Sequence, residues 1–120
     1  MALLVDPVRL QAYRDALSNW SFTGYIQFEL TEQSYRWIRA QFDNISTREI
    51  GRSMYEYVAT GGEIDEVAET RPEWSDRYQF HYDLRFALRG KAVYVETRLH
   101  YSVPVVPDSS WILVVNVHAP

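Results

Sequence analysis

Two different periods organise the chain. In the C-terminal half, Phe80, Tyr82, Leu84, Phe86 and Leu88 alternate with His81, Asp83, Arg85 and Arg89. Beyond Gly90, Val93, Val95, Thr97, Leu99 and Tyr101 alternate with Tyr94, Glu96, Arg98 and His100. A period of two over such lengths predicts a pair of strands, each with one buried face. Both apolar sets must lie on the same side of the sheet, which restricts the pairing to registers of one parity.

Charge selects among those registers. A loop at Gly90 and Lys91, with Gly in the first position as a type II′ turn prefers, sets Asp83 opposite Arg98, Arg85 opposite Glu96 and His81 opposite His100. A loop at Arg89 and Gly90 would set Asp83 against Glu96, a like-charge pair that costs stability. The first register is therefore the expected one. Downstream, WILVVNVH (Trp111 to His118) is almost wholly apolar, as suits an interior strand. Placed antiparallel beside the second hairpin strand, it brings Asn116 next to Glu96 and His118 next to Tyr94.

The first half carries helical signals. Asp6 followed by Pro7 is an N-cap with proline at the first helical position, opening a helix to about Asn19. Its apolar side is Leu10, Tyr13, Ala16, Leu17 and Trp20. An alternating stretch from Phe22 to Leu30 predicts a strand, and Thr31 caps a second helix through Asp43. Ser46 and Glu49 form a capping box for a third helix, which Gly61 and Gly62 end. The acidic segment EIDEVAET predicts a short edge strand, and Pro72 breaks the pattern after it. The whole, residues 1–120, reads as one α+β domain, with a mostly antiparallel sheet of four to five strands and the N-terminal helices packed on one face.

Composition narrows the function. At 120 residues with 47% hydrophobic and 23% charged positions, the chain is ordinary for a globular domain. It has no apolar run of the ~20 residues that span a bilayer, and its opening does not resemble a signal peptide, so a cytoplasmic setting without membrane contact is expected. The absence of cysteine excludes disulfides and thiolate chemistry. The net charge of −4 opposes binding of nucleic acid by bulk attraction. Its distribution is uneven: Gly62 to Asp76 holds six acids and one arginine, while Arg77 to Tyr101 holds five bases.

The polar face of the hairpin is the candidate site, with His81, Arg85, Tyr94, Arg98 and His100 as candidate catalytic groups. Asp83, Arg89, Glu96 and His118 are candidate binding groups on the same sheet. Three histidines invite a metal, but the spacing of His100 and His118 separates them by roughly 20 Å at ~3.3 Å per residue, so no metal or other cofactor is expected. An arginine opposite each carboxylate lowers its pKa and does not poise it as an acid. The face then reads either as a solvated ladder of ion pairs or as a phosphate- or RNA-facing surface, with Arg85, Arg89 and Arg98 as anchors and His or Tyr moving protons. The acidic stretch reads either as solvated surface or as a dock for a basic partner.

The order of elements adds one more indication. YIQFEL leads into a helix, NIS opens a second, GGEIDE ends it, and a meander closes on an apolar strand. From about Tyr25 to His118 this order resembles the RelE/ParE-type small toxin superfamily, especially its BrnT-like branch. Relatives often carry a His and two Arg on the first family helix; aligned on Ile45 and Ser46, this chain has Tyr35, Arg39 and Asp43 there. Arg39 matches, and so enters the candidate binding set. The resemblance implies metal-independent cleavage of RNA, with RNA or a protein of antitoxin type as partner. The alternative is a non-catalytic interaction module or homo-oligomer, a homodimer included, on the same scaffold.

Overall fold

The computed structural model describes residues 2–120. Its strands are β1 (Ala2–Leu3), β2 (Ile26–Phe28), β3 (Asp65–Ala68), β4 (Phe80–Leu88), β5 (Lys91–His100) and β6 (Trp111–His118). Its helices are α1 (Pro7–Ser18), α2 (Glu32–Gln41), α3 (Thr47–Ala59) and the single turn α4 (Pro72–Ser75). The strands form one sheet in the order β1-β3-β4-β5-β6-β2, antiparallel except where β2 runs parallel to β6. This is the α+β architecture anticipated, with six strands.

The helix starts follow their caps. The side chains of Asp6, Thr31 and Ser46 accept from the backbone N–H groups of Arg9, Ser34 and Glu49 at 3.0, 3.2 and 3.1 Å. Glu49 does not close the capping box, because its carboxylate is taken by Arg89. Phe22 to Tyr25 is not strand; Gly24 turns there at φ +97°, and Phe22 is exposed. The acidic segment is not the sheet edge, since β1 pairs with the outer side of β3.

The core lies on the helical side of the sheet. Tyr13 is fully buried, with its ring 5.6 Å from that of Tyr82. Its hydroxyl donates to Thr97 Oγ1 at 2.8 Å, and Thr97 in turn donates to the carbonyl of Tyr82. Tyr57 of α3 stacks on Phe86 of β4 at 5.5 Å. Leu84, Val93, Val95, Ile112, Val114 and Val117 complete that face with no exposed surface. A register shift after Glu96 inserts Val115 as an extra residue in β6, so that Asn116 sits beside Glu96 while Leu113 sits beside Arg98.

The opposite face is not bare. The segment from Glu69 to Tyr78, including α4, crosses it as a strap: Trp74 covers the Arg98 guanidinium at 4.8 Å. Tyr78, Leu113 and Val115 are buried outside the main core cluster.

Candidate functional site

The β4–β5 turn sets the site. Arg89 and Gly90 have φ of +50° and +79°, so the two-residue loop is Arg89-Gly90 with both residues left-handed, as a type I′ hairpin requires. The ladder that follows pairs Asp83 with Glu96 and Arg85 with Tyr94. The sequence-based register, with Gly90-Lys91 as the loop, Asp83 opposite Arg98, Arg85 opposite Glu96 and His81 opposite His100, is thereby overturned. The alternation is kept but the strands slide by two residues. Arg71 from outside the hairpin, with His81 and Arg98 within it, relieves the like-charge pair. The placement of β6 is as anticipated, with Glu96 beside Asn116 and Tyr94 beside His118.

Beneath the surface lies a charge cluster. Arg98 has no exposed surface; its Nη1 is 2.8 Å from Glu96 Oε2, and its Nη2 is 2.7 Å from Glu69 Oε2. That second contact is off the line of a good hydrogen bond, and Nε has no partner. Arg71, from the strap, bridges the same two carboxylates. Burial opposes ionisation of Glu96, but hydrogen bonds from Arg71 and Arg98 outweigh it and hold the carboxyl below its ordinary range. Glu69 is shifted the same way, against burial, by its hydrogen bonds from Arg71 and by the charge of Arg98. Asn116 reaches Glu96 at 3.3 Å and is fixed from behind by the hydroxyls of Thr31 and Ser34.

Above the carboxylates runs an outer row. The Arg85 guanidinium lies 4.9 Å from the Tyr94 ring centre and pairs with Asp65 of β3. On the other side the His118 ring stacks on Tyr94 at 4.8 Å. His118 Nδ1–H donates to the carbonyl of Ala119 at 2.7 Å, which leaves Nε2 as the free lone pair of an exposed imidazole. Burial, then the neighbouring Asp83, pushes the Tyr94 hydroxyl well above its ordinary pKa, so it stays protonated. Two residues along β4, His81 Nδ1–H donates to the buried Asp83 carboxylate at 2.8 Å.

The predicted residues thus separate. Arg85, Tyr94 and His118 form one row, with His81, Asp83 and Glu96 beside or beneath it. Arg98 lies sealed under Trp74, out of reach of any ligand in this arrangement. His100 sits at the far end of β5, stacked on Trp111 at 3.6 Å and hydrogen-bonded to the Tyr78 hydroxyl. Arg39 is held over the Tyr35 ring on α2, and Arg89 is bound to Glu49 and to the carbonyl of Asp43 on the helical side. Sequence reasoning missed the strap residues Glu69, Arg71, Trp74 and Tyr78. The one signal was an arginine in an otherwise acidic stretch, followed by Pro72 and two aromatics. Among the described residues, no group of three or more His, Asp and Glu side chains is placed to hold a metal ion. No helix of the described residues is long and apolar enough to cross a membrane. No protein-family model, curated protein or solved structure matches the chain.

Proposed function

We propose that the row Arg85–Tyr94–His118 is a site for metal-independent cleavage of RNA, acting in the cytoplasm. The observation that carries this is the stacking of an arginine, a protonated phenol and an imidazole with a free Nε2 in one line, with Arg85 and His118 exposed at its two ends. His118 Nε2 takes the proton of a 2′-hydroxyl, whose oxygen attacks the adjacent phosphorus. Arg85 stabilises the charge that develops on the phosphoryl oxygens. As the bond from phosphorus to the 5′-oxygen breaks, Tyr94 gives that oxygen its proton, leaving a 2′,3′-cyclic phosphate and a free 5′-hydroxyl. His81, oriented by Asp83, borders the row and binds the neighbouring part of the strand. The element order β2, α2, α3, then β3 to β6 is the order on which the resemblance to RelE/ParE-type toxins rests, and it supports the same reading. A protein partner of antitoxin type would act by covering this row. Incubating purified protein with a defined RNA in the presence of EDTA tests the proposal. Cyclic-phosphate ends that disappear in His118→Ala support it, and no cleavage above background sinks it.

A non-catalytic reading has one observation in its favour. Leu3 is exposed on the two-residue edge strand β1, and Val5 and Val8 are exposed in the loop and the start of α1 that follow, where a second copy or another protein could pair. A monomeric elution volume that is unchanged by Val5→Glu would remove the homodimer form of it.

A further inference from the structure

The sheet forks at its end remote from the hairpin turn. The β4–β5 ladder stops at Tyr82–Thr97, although β4 continues to Phe80 against β3 and β5 continues to His100 against β6. Continued in the same register, the ladder would oppose His81 to Arg98 and then, on the face of Tyr82 and Thr97, Phe80 to Leu99. Phe80 and Leu99 line a cleft of about 450 Å³ instead. That volume falls within the ~300–1,000 Å³ of small-molecule sites.

The walls are aromatic: Tyr78, Phe80 and Tyr101 line the cleft, and His100 closes one side. His100 is itself clamped, ring to ring on Trp111 and by hydrogen bond to Tyr78, so that side is held rigid. Two guanidinium groups stand at these rings: Arg9, over Phe80 at 4.9 Å, is paired with Glu66, whereas Arg77 lines the cleft itself. Arg77 rests over the rings of Trp74 and Tyr78 at 5.0 and 5.7 Å and, among the described residues, forms no ion pair. Its charge is felt inside: burial and then Arg77 lower the His100 pKa, and Arg77 opposes the upward push of burial on Tyr78. An aromatic slot beside a guanidinium with no carboxylate partner among the described residues favours a flat ring bearing negative charge.

We propose that this cleft binds a planar aromatic anion, its ring between Tyr78, Phe80 and Tyr101 and its phosphate or carboxylate on Arg77. The site is independent of the RNA-cleaving proposal: Tyr94 and His100 are six residues apart on one strand, about 20 Å at ~3.3 Å per residue. Backbone NMR titration of the full chain tests it, with phenyl phosphate and benzoate as ligands and phenol and inorganic phosphate as controls. The expected result is saturable shifts confined to residues 77–80 and 99–103 with at least one of the two aryl anions. Which one binds tells phosphate from carboxylate. Arg77→Gln should weaken that binding tenfold or more. Val103→Trp, at an exposed position on the cleft lining, should block it without altering the rest of the spectrum. Failure of both aryl anions to bind overturns the proposal. So does equal affinity for phenol or inorganic phosphate, or full binding by Arg77→Gln.

Discussion

Asp83 and Glu96 face each other on adjacent strands, two carboxylates directly opposed and both nearly buried. Each has its own counter-charge or donor. His81 serves Asp83 from the same strand, while Arg71 and Arg98 hold Glu96. The pair persists because Arg71, 25 residues from Glu96 in sequence, reaches over from the strap to its carboxylate. Repulsion across one rung is offset by attraction to the layer above and to the next residue but one in β5.

Arg98 is the keystone of that layer. Arg98→Met would leave Glu69 and Glu96 desolvated with Arg71 alone, and breaking a buried pair in this way costs about 3–5 kcal/mol. Urea denaturation measures it. Adding Glu69→Gln to Arg98→Met should recover part of the loss, a coupling of about 1 kcal/mol or more. A single variant within about 1 kcal/mol of the parent would show that the cluster contributes little.

Acid should undo the same layer. The carboxyls of Glu69 and Glu96 lie below their ordinary value of 4.5 in the folded chain. As pH falls, the unfolded chain therefore takes up these protons first. The stabilisation is complete above about pH 4.5 and is lost as pH drops through the folded-state values, by about 1.4 kcal/mol per pH unit for each proton of difference. Denaturation midpoints between pH 7 and 3 should show this slope, and Glu69→Gln should flatten it. An unchanged slope in that variant would exclude Glu69 as a source.

Gly90→Ala isolates the turn. A Cβ there meets no atom within 4 Å, so the cost is that of forcing φ +79° on an L side chain, about 1–2 kcal/mol. Gly62→Ala differs in kind, because its Cβ would overlap the Tyr57 ring and push it from Phe86. Thermal unfolding of the two variants separates conformational cost from steric cost. A fully stable Gly90→Ala would refute the left-handed turn.

Tyr94→Phe tests the proton donor in the row. It keeps the ring between Arg85 and His118 but removes the hydroxyl, so RNA cleavage should fall by about 10²-fold or more while stability changes by less than about 1 kcal/mol. A substrate whose leaving group needs no proton should restore the rate. Loss of activity on both substrates would assign Tyr94 to packing.

Much of this fold is legible in the chain because it depends on neighbours in sequence. The Asp6 carboxylate and the hydroxyls of Thr31 and Ser46 start helices by accepting from a backbone N–H three residues on, and alternation in β4 and β5 marks one face for burial. The same alternation left the pairing open by steps of two, since sliding the strands by two keeps every apolar side chain inward. The structure chose through the backbone of Arg89 and Gly90 and through Arg71, which meets Glu96 only after the chain has crossed the sheet. The row Arg85–Tyr94–His118 combines one pairing fixed by that slide with another that the apolar run of β6 already indicated. The burial of Arg98, the unpaired fork at Phe80 and Leu99, and the cleft beside Arg77 exist only in three dimensions. The cover over Arg98 and the wall of the cleft are made by the strap lying over the sheet, and no local pattern encodes where a strap comes to rest.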